Sequence, residues 1–165
     1  IYAPELTGSF WEFSNIDRLS SEWKGYEVKT GEDFMTVYDV LGLCKFSRSL
    51  FWLEEDVLDA IEAVTGIRFT IEQLMAIGER IYNLQRLFNI REGFTRKDDY
   101  LPYRVTHEPI SNGVTKGSYV SEEELQDMLD QYYMARGWSK EGVPTKMHLK
   151  RIGLVEEAEV FGAPI

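Results

Sequence analysis

The 165-residue sequence holds one cysteine, two histidines and five prolines, and its acidic residues outnumber its basic ones by 28 to 18. Each shortage excludes something. A single cysteine, Cys44, forms no internal disulfide, so there is no disulfide framework, and such usage suits a reducing, cytoplasmic compartment. A formal charge of -10 argues against a nucleic-acid backbone or an anionic membrane surface as the main partner, since both select basic patches. No apolar run approaches the roughly 20 residues needed to cross a bilayer. His107 and His148 lack a second histidine or a carboxylate at zinc-ligand spacing, and both read as ordinary surface residues. Ser47 and Ser49 sit near no identifiable base. "GIRFT" and "GFTRKDD" lack the spacing of a phosphate-binding glycine loop. No residue is assigned a catalytic role.

What remains is globular: 44% hydrophobic and 13% aromatic residues over a length that suits one domain, taken as 1–165. The opening "IYAPELTGSF" reads as a start in mid-protein, so a fragment of a larger protein is expected. Residues 1–19 carry Pro4, Gly8 and no sustained period and read as a loop, with room for a short helix. A helix is expected from a cap at Ser20–Ser21 through Leu41, with Tyr26, Phe34, Val37, Tyr38 and Leu41 as its stripe, Gly31 as a point of weakness and Gly42 as its left-handed stop. A second is expected over 54–64, with Val57, Leu58, Ile61 and Val64 on one face and Gly66 after it. A third opens at Thr70 and runs to Phe88 through Leu74, Ile77, Ile81 and Leu84. Residues 91–120 have no stripe and read as one long loop with a turn at Asn112–Gly113, and loops of that length are usually functional. Ser121 and Glu124 have capping-box spacing ahead of a helix that Gly137 closes. A short helix follows Pro144–Thr145 and ends at Gly153, and 155–165 is expected to be an irregular, extended tail. About five helices and almost no strand alternation make the class all-α.

Two stretches carry candidate chemistry. In "FNIREGFTRKDDYLPYR" (Phe88–Arg104) the charges read first as a solvated helix end held by local ion pairs, and second as the lining of a cleft. In "YDVLGLCKFS" (Tyr38–Ser47) a lone thiol by itself reads as a small buried hydrophobe. Asp39, however, sits in the last turn of a helix, where the dipole disfavours a carboxylate unless something donates to it. Paired N–H donors would suit it, and Gly42 lets a ligand approach the backbone closely.

"DVLGLC" (Asp39–Cys44) resembles the Asp-x-x-Gly-Leu-Cys motif of the aldehyde:ferredoxin oxidoreductase family, the tungsten-pterin enzymes. The likeness continues in order through "ERIYNLQRLFNIREGFTRKDDYLPYR", "EELQDMLDQYYMARGW" and "GVPTKMHLKRIGL", covering roughly residues 20 to 155. The resemblance implies the multi-helical C-terminal domain of such an enzyme. It implies that Cys44 is the fourth ligand of a [4Fe-4S] cluster and a neighbour of one pterin. Asp39 would accept hydrogen bonds from that pterin, assisted by Gly42 and Leu43. The implied cofactors are a tungsten (or molybdenum) bispyranopterin and the cluster, and the reaction is aldehyde plus water to carboxylic acid, with electrons passing to ferredoxin. The other three cluster cysteines, in a Cys-x-x-Cys-x-x-x-Cys run, are absent here, as are the N-terminal and middle domains. The chain alone is therefore expected to bind neither cofactor, to be inactive, and to self-associate through surface those domains would cover. Two alternatives stand beside this reading. One is a family relative with another substrate, of the benzoyl-CoA reductase type. The other is a free-standing helical interaction module with an inert Cys44, decided by whether the reading frame ends at this length.

Overall fold

A computed structural model describes residues 19–44, 46–47 and 53–163. The expected loop over 1–19 lies almost wholly outside them. Among the described residues there are seven α-helices and no strand: α1 (Lys24–Val40), α2 (Leu58–Thr65), α3 (Ile71–Arg91), α4 (Tyr103–His107), α5 (Glu122–Arg136), α6 (Lys146–Ile152) and α7 (Val155–Phe161). A π-helical turn, Leu53–Val57, leads into α2, and a 3₁₀ turn, Arg96–Asp98, follows α3. The all-α class holds, with seven α-helices among the described residues where about five helices were expected.

Helix α1 lies against α3 and α5, and α3 also carries α6 and α7. Two apolar clusters hold this arrangement. Phe34, Met35, Val37 and Tyr38 of α1 pack with Val57, Ile61 and Leu74. Leu87 of α3 packs with Leu149, Leu154, Ala158 and Ala163. Between the clusters, the middle of α3 buries Glu79, Asn83 and Arg86.

Several local expectations need correction. Helix α1 runs unbroken through Gly25 and Gly31. Each glycine costs about 1 kcal/mol in a helix. Burying Phe34, Met35 and Val37 contributes about 1.5–3 kcal/mol apiece, so packing wins. Gly25 also has a positive use, because a Cβ there would strike the backbone of Gln131 and Tyr132 in α5. The serine cap does not form. The helix begins after Trp23, which is left-handed (φ 61°), with no side-chain cap. Ile77 and Phe88 on α3 and Val64 on α2 are exposed, so the apolar stripes drawn through them are rotated from the faces actually buried. The tail is not extended: Val155–Phe161 is helical and Ala158 is fully buried.

The capping box at Ser121/Glu124 forms as its spacing predicts, and another forms at Thr70/Gln73, where the third helix was expected to open. Glu124 accepts from the Ser121 backbone and hydroxyl, which holds its carboxyl below the usual range. Residues 108–120 fold back through a pair of backbone bonds, Ile110 N–H to Ser118 O (3.0 Å) and Gly117 N–H to Ile110 O (2.8 Å), without forming a strand.

Candidate functional site

The end of α1 brings the four sequence-predicted residues together in one turn. Leu41 N–H donates to Val37 O (3.1 Å), Gly42 N–H to Asp39 O (3.1 Å) and Leu43 N–H to Tyr38 O (2.9 Å). This is a Schellman closure, and it requires the left-handed Gly42 (φ 70°). Leu43 turns inward onto the cluster of Phe34 and Tyr38. Asp39 and Cys44, on either side of that anchor, are exposed. The Cys44 carbonyl accepts from the Ser47 N–H (2.9 Å) and hydroxyl (2.6 Å), which fixes the backbone beyond the thiol. Cys44 is thus not the buried hydrophobe that a lone thiol suggests.

The Asp39 carboxylate makes no hydrogen bond or ion pair among the described residues. A carboxylate at the negative end of a helix dipole, without an internal donor, fits a ligand that brings donors of its own. Cys44 fits as one thiolate of a larger donor set. Among the described residues no group of three or more His, Cys, Asp or Glu is placed to hold a metal ion.

Asp39 also lines a cleft of about 590 Å³ between α1, α3, α5 and the segment 98–101. Met35 and Thr36 continue its α1 wall, Tyr82 and Arg86 come from α3, and Asp99 and Leu101 close the side. The Phe88–Arg104 stretch thus forms part of a cleft wall, and while Arg91–Glu92 and Arg104–Glu108 are local pairs, those of Asp99 and Arg96 are not. Arg86 makes a two-pronged bond to Asp99 (2.9 and 2.6 Å), and the Tyr133 hydroxyl donates to Asp99 (2.5 Å). Arg96 reaches Gln126, Asp130 and the Lys140 carbonyl, tying the segment to α5 and the loop after it.

Beneath the cleft is a buried ionic network that sequence reasoning missed. The fully buried guanidinium of Arg136 donates to Asp33 and to Glu32 (2.8 Å). Glu32 also accepts from Tyr82 Oη (2.7 Å) and Tyr132 Oη (2.6 Å). Burial, with the Glu32 charge adding, pushes both phenols up. Burial disfavours the charged Arg136, but Tyr132, Asp33 and Glu32 outweigh it and hold the proton more firmly. Lys29 bridges Asp33 (2.8 Å) and Glu79 (3.3 Å), and Arg151 adds to Glu79 (3.0 Å). Burial raises Glu79, but Lys29, Arg151 and His148 together hold it below the usual carboxylate range. An arginine one residue before a C-capping glycine reads as an exposed cation favoured by the dipole, so only the i,i+4 pair Lys29/Asp33 hinted at this network.

The histidines divide. His107 is exposed and stacked on Tyr103 (4.1 Å between ring centres). His148 is buried, contrary to the surface expectation, with Nε2 3.9 Å from Glu79 and without a hydrogen-bond partner. Burial pushes its pKa down, and Arg151, Lys29 and Arg136 add to this against Glu79.

The described residues form a helical, strandless fold with an exposed carboxylate and thiol on one glycine turn. The chain belongs to the aldehyde ferredoxin oxidoreductase family: the family model described as "Aldehyde ferredoxin oxidoreductase, domains 2 & 3" matches residues 2–154. It is 37% identical over 156 residues to a tungsten-containing aldehyde ferredoxin oxidoreductase of Pyrococcus abyssi, covering 93% of this chain and 24% of that protein. The corresponding Pyrococcus furiosus enzyme is 39% identical over 127 residues, covering 76% of this chain and 20% of that protein. Among solved structures, the active-site complex BamBC of benzoyl coenzyme A reductase, in complex with 1,5-dienoyl-CoA, matches with a TM-score of 0.68 at 26% identity. That match covers 89% of this chain and 21% of the other. The chain thus spans about a quarter of the length of the curated relatives it matches. No helix among the described residues is long and apolar enough to cross a membrane.

Proposed function

We propose that this chain is the single helical C-terminal domain of a longer tungsten-pterin aldehyde oxidoreductase, to which it contributes cofactor contacts rather than catalytic groups. One observation carries the reading: the exposed Asp39 and Cys44 are set on the two sides of a rigid glycine turn inside the family match. Asp39 would accept hydrogen bonds from a pterin, with the Gly42–Leu43 backbone beside it. Cys44 would supply one thiolate to a [4Fe-4S] cluster whose other ligands lie elsewhere in the protein. When bound, the cofactors would supply the oxidation of an aldehyde and the passage of its electrons to ferredoxin. This chain's own part is to orient the pterin, to tune the cluster through thiolate ligation, and to close one side of the site. Because a cluster needs about four thiolates, the chain by itself should hold neither cofactor and catalyse nothing.

A family relative acting on another substrate is the second reading, favoured by the benzoyl coenzyme A reductase likeness and by 33% identity over 139 residues to a WOR-like subunit of an aliphatic sulfonate oxidoreductase of Pyrococcus furiosus. Metal analysis of the full-length protein together with aldehyde-dependent viologen reduction separates the two. Tungsten with aldehyde-dependent reduction supports the first reading; tungsten without it, for a range of aldehydes, supports the second. Asp39→Asn in that protein should lower its pterin content, measured by fluorescence of the released, oxidised pterin. Unchanged pterin would remove Asp39 from the site.

A further inference from the structure

Residues 100–120 form an arm that the helical core does not account for. Thr106 is its deeply buried side chain, while Tyr103, Val105, Ile110, Val114 and Tyr119 all face solvent. The arm is nevertheless fixed in shape. Val120 N–H donates to Val105 O (3.2 Å), Tyr100 Oη to Glu122 (2.8 Å), and Tyr103 stacks on His107. Ile110 is bonded in both directions to the 117–118 backbone. A segment held by its own hydrogen bonds, with its apolar side chains turned outward, gains no burial in this chain, and clustered exposed apolar surface marks an interaction site. Its charge differs from that of the remainder. Residues 100–120 carry two Lys/Arg and one Asp/Glu, against 16 and 27 in the rest of the chain. Near-neutral apolar surface suits a permanently buried contact, where uncompensated charge is costly.

We infer that this arm is a docking surface for the remainder of the same polypeptide, an interdomain contact whose first residues, Tyr100 and Leu101, also line the cleft beside Asp39. The occupant follows from length: the relatives are about four times longer than the chain, and a lasting contact with that covalently attached mass needs no second binding event. The inference rests on the reading of this chain as a domain of a longer enzyme.

Hydroxyl-radical footprinting of the full-length protein against the 165-residue chain tests it. Labelling of Tyr103 and Tyr119 should fall several-fold in the full-length protein. Val114→Asp should restore labelling there, while leaving the unfolding midpoint of the 165-residue chain unchanged because Val114 is fully exposed in it. Equal labelling in a full-length protein that retains its iron overturns this inference alone. So does protection that arises in a dimer, in either form, which Val114→Asp converts to an unprotected monomer; the occupant is then a second copy. A reading frame that ends at this length overturns both the inference and the functional reading.

Discussion

Arg136 is the residue on which the three long helices converge. Its side chain, on α5, is fully buried against Asp33 and Glu32 of α1 and lies 4.0 Å over the Tyr82 ring of α3. Removing one partner of a buried pair leaves an uncompensated charge, which costs about 3–5 kcal/mol. Arg136→Ala should therefore lower the urea unfolding free energy by about that much. Arg68→Ala, which breaks the exposed pair with Glu62, should change it by less than about 1 kcal/mol. Equal effects would mean that Arg136 is not the keystone its burial suggests. His148 gives the chain a pH dependence. Burial first, then Arg151, Lys29 and Arg136, keep its folded pKa below the ordinary 6.5, so the folded state refuses a proton that the unfolded chain accepts. The resulting stability is full above about pH 6.5 and is lost as pH falls below it toward the folded pKa. Urea midpoints between pH 7.5 and 5.5 should drop more steeply for the native chain than for His148→Gln. Neither residue was legible in the sequence. An arginine before a C-cap glycine and a histidine on a basic short helix both look like surface residues until tertiary packing buries them.

At the scale of the helix, the ends were more legible than the faces. Thr70/Gln73, Ser121/Glu124, Thr145 and the stops at Gly42, Gly66, Gly137 and Gly153 are satisfied locally, by side chains and backbone a few residues apart, so spacing alone reveals them. The buried faces depend on distant partners. Ile77 and Phe88 fit an ideal stripe yet are exposed, because α3 devotes its inner face to Glu79, Asn83 and Arg86. Helix α7 was missed because no side-chain cap marks its start, and it is seated in the second cluster by Leu154, Ala158 and Ala163, with Val155 and Phe161 against them. Gly25→Ala shows which scale dominates. Helix propensity would favour alanine by about 1 kcal/mol. The added Cβ would meet the α5 backbone at Gln131–Tyr132, and overpacking of that kind costs about 1–3 kcal/mol. The thermal midpoint should fall; a rise would show that α1 and α5 are not pressed together there.

For the whole molecule, the all-α class and the Asp39–Cys44 turn were both apparent in the sequence. The class follows from helical period, and the turn from a motif contiguous in sequence. The cleft beside Asp39 was not apparent, since its walls come from four separate segments joined by Arg86–Asp99 and Arg96. The central claim is that Cys44 completes a cluster whose other ligands lie outside this chain. Iron per polypeptide in the anaerobically purified full-length protein tests it most directly, comparing the native sequence with Cys44→Ala. The account predicts that iron and the visible iron–sulfur absorbance fall substantially in the variant, while the circular dichroism of its helices is unchanged because Cys44 is exposed and packs in neither cluster. A variant that keeps its full complement of iron would contradict it.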